Sequence, residues 1–268
     1  MKTIKSLVLT IIALTTILTS SCATSVRTNG NVVTKELNDV SFQKLNICSF
    51  FTVKFTQAKQ YKVKVTISER FEPYLISKVE NGELVIAIDS RSRGLNVDEE
   101  DMALVEISAP SFRDLELSGA VTMTLEGSWK LEEVSLDLSG ASRLTAETLL
   151  VEDLTIEQSG ASRINAVLSV DQLDVENSGA SQLTLKSLDQ KCGHCATIEV
   201  SGASHVNLGK YPFKKVVVDA SGASHAKVFP TQRLKAEASG ASSIRYVDAS
   251  KELRKELDKS GIASISAD

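Results

Sequence analysis

Long apolar runs are what this chain has least of. The longest, Leu7 to Leu18, covers a dozen residues, short of the ~20 that a membrane-spanning helix needs. A span is therefore excluded, and the run has the length of a secretory h-region behind the basic Lys2 and Lys5. Basic charge is also in deficit. Beyond residue 21 there are 28 Lys and Arg against 34 Asp and Glu, a net charge of −6. That balance argues against nucleic acid and against an electrostatic hold on anionic lipid. Aromatic residues make up only 5 %, which suits a narrow coil filled with Leu, Ile, Val and Ala. No nucleophile–base pair, glycine-rich phosphate loop or metal-ligand triad is present, so the chain is read as a non-enzyme.

What is present, seven times, is Ser-Gly-Ala, beginning at Ser118, Ser139, Ser159, Ser178, Ser201, Ser221 and Ser239, with Ser-Gly-Ile at Ser260. The serines are 21, 20, 19, 23, 20, 18 and 21 residues apart. A period near 20 held over more than half the chain marks a solenoid. Aligned on the serine, the position three before it is apolar in every copy, from Leu115 and Leu136 to Ala236 and Leu257. Five after it stand Met123, Leu144, Ile164, Leu183, Val206, Ala226, Ile244 and Ile265, and the position seven after is apolar as well. Polar residues fill most places between, so each copy reads as two short alternating strands flanking a corner that glycine lets turn. A helical repeat would need a 3.6-residue stripe, and a propeller blade about twice this period. The expected fold is all-β: a parallel β-helix or β-solenoid with coils of about 20 residues.

Residues 35–110 lack the motif but alternate as strands do, at Phe51-Val53-Phe55 and at Tyr61-Val63-Val65-Ile67. Asn81-Gly82 ahead of Leu84-Val85-Ile86 is a turn-then-strand signal, and Glu69 to Lys78, with Pro73, reads as an irregular or helical connector. This half is expected to supply opening coils and an N-terminal cap, and 111–268 the repeat coils, of one domain spanning 35–268. Ahead of it, Thr19-Ser20-Ser21-Cys22 resembles a bacterial lipobox. Residues 1–21 are then a lipoprotein signal peptide, Cys22 the lipidated residue, and 22–34 an anchor and polar tether.

Phe42, Leu45, Val53, Phe55, Thr56 and Gln57, followed by the Ser-Gly-Ala-Ser repeats, resemble the Bacteroidetes domain of unknown function called "putative autotransporter adhesin, head GIN domain". The resemblance covers 35–268. It implies a β-solenoid and an adhesive or binding role, and brings no catalytic residues. The protein is expected in the outer membrane, tied to it by the lipid, with a glycan or an envelope protein as partner. Ala-Thr-Ser-Val-Arg after Cys22 lacks the acidic cluster that resembles a surface-export signal in this phylum, which favours the periplasmic face. The competing readings are a polysaccharide-active enzyme on the same fold and a structural spacer.

Three groups of residues are candidates for more than folding. Two places before the serine stand Glu116, Asp137, Glu157, Glu176, Glu199, Asp219, Glu237 and Asp258. Stacked coils turn them into a carboxylate ladder, read as a solvated face or as a ligand or cation site, with Ca²⁺ as the cation that carboxylates suit. Four places after the serine, Arg143, Arg163, Gln182, His205 and His225 are candidates to offset that charge, and the two histidines fall in consecutive coils without an evident third metal ligand. Cys192-Gly193-His194-Cys195 has the spacing of a dithiol motif, but in an insertion between strands a Cys192–Cys195 disulfide is the expectation. Cys48 is expected to be a buried thiol. The run Asp98 to Asp101 is read as a solvated loop.

Overall fold

The computed structural model describes residues 23–27, 32–92, 97, 101–189, 191–249 and 251–268. The signal segment 1–21, Cys22 and residues 98–100 of the acidic run lie outside the described residues. The protein is a β-solenoid of stacked parallel coils of about 20 residues. Alternation explains how each coil closes. Leu115, Leu136, Ile156, Val175, Ile198, Val218 and Ala236 lie in register along one stack of strands. Each is no more than 2 % exposed. Their neighbours in sequence point outward, as period-2 geometry requires.

The strands before the corners form a leading sheet and those after them a trailing sheet. A short third side, which the repeat columns do not reveal, completes the coil. There Ser128, Trp129 and Lys130 pair with Thr148, Leu149 and Leu150, and Leu149 with Leu168. Buried Trp129 packs edge-on against Phe55 and Phe112, 4.5 and 5.2 Å away between ring centres.

The first half is built from β1 (Ala23–Arg27), β2 (Val32–Leu37), β3 (Lys44–Ser49), β4 (Thr52–Gln57), β5 (Lys62–Ser68), β6 (Leu75–Glu80), β7 (Glu83–Ile88) and β8 (Ala103–Ala109). β9 (Asp114–Gly119) and β10 (Thr122–Lys130) begin the regular repeats. The coils here do not follow sequence order. β3 lies between β7 and β9, and β4 between β8 and β10, all in parallel. The chain makes its second coil first, drops beneath it for the end coil, then climbs past it. Antiparallel strands close that end: β5 pairs with β8, β2 with β5 and β1 with β2. Two strands therefore run through the stretch read as a tether. The connector is a 3₁₀ turn at Glu69–Tyr74, and its remainder becomes β6, folded against β7 through Asn81 and Gly82, both at positive φ.

The corner glycines have φ between +66° and +80°, a region closed to most side chains. They also stack. A Cβ on Gly160 would sit 2.6 Å from the carbonyl oxygen of Gly140 and 3.0 Å from its nitrogen. Ser49 occupies this place in the β3–β4 coil at φ 100°, and its Oγ accepts the Ile88 N–H at 3.1 Å. In the last coil Lys255 and Lys259 stand where Leu234 and Ala238 stand below. Lys255 reaches Asp248 at 2.8 Å and lies over the Tyr246 ring. Charge set into an inward column blunts a sheet edge.

Candidate binding faces

The leading sheet carries the carboxylate ladder. Glu116, Asp137, Glu157, Glu176, Glu199, Asp219, Glu237 and Asp258 pair register to register through eight successive coils, all exposed. Strands stack at ~4.8 Å, so each carboxylate has a like charge above or below it. Desolvation by the neighbouring strands pushes the Glu116, Asp137 and Glu157 carboxyls up from their ordinary values. For Glu116 the charges of Asp137 and Glu83 add to this, and for Glu157 those of Asp137, Glu176 and Asp174. Relief is local: Asn46 donates from Nδ2 to Glu116 Oε2 at 2.9 Å, and Lys235 Nζ lies 2.7 Å from Glu237 Oε1. An open groove of about 450 Å³ follows the ladder past the corner serines Ser159, Ser178 and Ser201. Among the described residues no group of three or more His, Cys, Asp or Glu side chains is placed to hold a metal ion.

The expected offset from Arg143, Arg163, Gln182, His205 and His225 is not made. These residues are in register with one another on the trailing sheet, across the corner from the ladder. Among the described residues neither Arg143 nor Arg163 forms an ion pair. His205 and His225 stack face to face, ring centres 4.8 Å apart and planes within 5°. A second open groove, about 430 Å³, runs over them and past Thr184, Asn207, Lys227 and Arg245. Lys227 is ion-paired with Asp268.

Between the two faces lies the corner, where the repeat count draws the eye to the first serine and the structure gives the work to the second. Ser142, Ser162, Ser181, Ser204, Ser224 and Ser242 are at most 2 % exposed. Ser142 and Ser242 Oγ lie 2.8 Å, and Ser181 Oγ 2.7 Å, from the carbonyl oxygen of the first serine of their own corner. Ser242 Oγ also lies 2.9 Å from Ala220 O in the coil below. These hydroxyls pin the turn from within, while Ser162 Oγ instead accepts from Gln158 Nε2 at 3.2 Å. The Ser at the fourth place of Ser-Gly-Ala-Ser was the visible signal for this.

Cys192 and Cys195 are both free thiols in the structure, the first exposed and the second half-buried. Cys192 precedes the strand Gly193–Val200, its Sγ 3.5 Å from Thr231 Oγ1. Cys195 is held in the ladder between Gln172 and Lys215. A Cβ on Gly193 would meet the Phe213 ring at 2.4 Å, so the motif's glycine serves packing. Cys48 is half-buried, in register with Ser118 at the corner.

Residues 41–249 match the model of a family described as "Putative auto-transporter adhesin, head GIN domain". Several solved structures share the fold. One, called a putative adhesin, from Parabacteroides distasonis, superposes with a TM-score of 0.77 at 18 % identity, over 90 % of this chain and 98 % of its own. Another putative adhesin, from Parabacteroides merdae, gives 0.76 at 16 % over 90 % and 97 %. A third, from P. distasonis and called a putative lipid binding protein, gives 0.75 at 19 % over 90 % and 98 %. No curated protein matches the chain.

Proposed function

Because the chain belongs to the family described as "Putative auto-transporter adhesin, head GIN domain", we propose that it is a non-enzymatic, lipid-anchored envelope protein that binds through its outer faces. The observation carrying this reading is the pair of polar faces whose outward columns keep register from coil to coil. A repeated, rigid array of side chains suits an extended partner that offers the same group many times. The inward columns are filled by side chains packed on one another, which favours a ligand on the surface over one enclosed in the coil. The lipid on Cys22 would hold the column at the outer membrane, on its periplasmic side.

The test is binding of the purified full chain to intact envelopes and to a panel of envelope glycans. Saturable binding with no new sugar ends is expected. Release of unsaturated or reducing sugars would overturn the non-enzymatic reading. Palmitate labelling that survives Cys22→Ala would remove the anchor, and protease shaving of whole cells decides between the two membrane faces.

A further inference from the structure

The two faces carry opposite charge. From Thr122 to Ser266, the two outward columns nearest the corner on the trailing sheet contain no Asp or Glu. They hold Arg143, Arg163, His205, His225, Lys227 and Arg245 among threonine, asparagine, glutamine and serine. The nearest carboxylates, Glu126, Glu147 and Asp268, stand one column further out. Glu147 accepts the Gly127 N–H at 2.7 Å, and Asp268 is ion-paired with Lys227 at the far end of the face. Arg143 and Arg163 are direct neighbours in the stack, both exposed. Like charges so placed destabilise a sheet, and nothing on their own face offsets them. In a chain of net charge −4, a face kept free of carboxylates over this length needs a reason.

We infer that the trailing face recognises a linear acidic polysaccharide, one bearing carboxylate or sulfate groups, laid along the solenoid axis. Arg143 and Arg245 are five coils apart, about 24 Å at the usual strand spacing, so several sugar units would span the cationic positions. Arginine forks suit planar carboxylate and sulfate oxygens. Between the cations, Thr145, Asn165, Thr184 and Asn207 offer hydroxyl and amide groups that match sugar hydroxyls. The carboxylate ladder repels the same polymer and so restricts it to one face. This rests on the binding reading above and names the face and the class of ligand.

The experiment measures retention of the full chain on immobilised polygalacturonate, dextran sulfate and neutral dextran, at low and high salt. Retention on at least one acidic polymer and not on dextran is expected, weakening as salt rises. Arg143→Glu with Arg163→Glu should weaken it at least tenfold at an unchanged melting temperature, and Glu157→Gln with Glu176→Gln should leave it intact. Equal retention on dextran, or an arginine variant that binds as well as the parent, overturns the inference. So does salt-sensitive self-association abolished by the glutamine variant, which would make a second copy the occupant. Envelope binding that persists in the arginine variant leaves the adhesive reading standing and removes only this one.

Discussion

A single methyl group is enough to separate two demands made on glycine in this fold. Gly160 needs its left-handed φ and also the space that a Cβ would take from the Gly140 carbonyl. Gly127 has φ +75°, but a methyl there would meet nothing within 4 Å. Gly127→Ala should therefore cost only the left-handed strain, about 1–2 kcal/mol. Gly160→Ala adds a backbone clash, and a loss above ~3 kcal/mol is expected; urea titration of both variants measures the difference. The ladder makes the opposite kind of prediction. Its raised carboxyls bind protons more readily in the folded state, so the stability they confer is present below the ordinary carboxylate range and lost as pH rises through the raised values. Asp137→Asn and Glu157→Gln should each stabilise the protein by roughly 0.2–1 kcal/mol at neutral pH. Melting curves from pH 3 to 7 should show that gain fading toward the acid end.

At the scale of the strand, the 23-residue repeat shows how a solenoid absorbs an insertion. In the coils below, the N–H groups of Leu131 and Val151 donate to Leu150 O and Ser169 O one coil up. The equivalent N–H of Val170 meets the coil carrying the insertion, and there the Tyr211 hydroxyl accepts it at 2.6 Å while donating to Val170 O at 3.1 Å. Tyr211 reaches from one coil further up, fully buried and stacked on Phe213. Tyr211→Phe leaves that peptide unsatisfied, and a loss of about 1–3 kcal/mol is expected in chemical denaturation. The same repeat explains what the sequence could and could not disclose. Columns counted from the serine located Ile156, Ile164 and the ladder correctly, because the corner fixes register on both sides of it. Counting fails beyond the seventh residue, where the repeats differ in length and bulges follow Leu125 and Ala146. Trp129, Tyr211 and Phe213 fall there, so the third side stayed hidden. The coil order of the first half was illegible for another reason. Neighbouring strands were expected one period apart, and the partners of β3 and β4 are chosen instead by the antiparallel excursion through β5 and β6. Which face carries which charge was half legible. The columns and the corner between them could be counted in the sequence, but not that the corner carries the two columns too far apart to offset one another.

For the molecule as a whole, each regular coil needs only the coil beneath it to match. Deleting residues 140–159 joins Ser139 to Gly160 and keeps every corner intact. The shortened chain should keep a β-sheet circular dichroism spectrum and a single cooperative melt at a somewhat lower temperature; loss of cooperativity would show that the coils are not interchangeable. The end coil is different. Arrays of repeats fray from their ends, and a tether at the N-terminus would place any mechanical load there. The crossing of β3–β4 between β7–β8 and β9–β10 works like a back-stitch at the start of a seam. Tension entering through β1 and β2 meets β5 and β8 first, and the first-made coil cannot leave until the thread above and below it has let go.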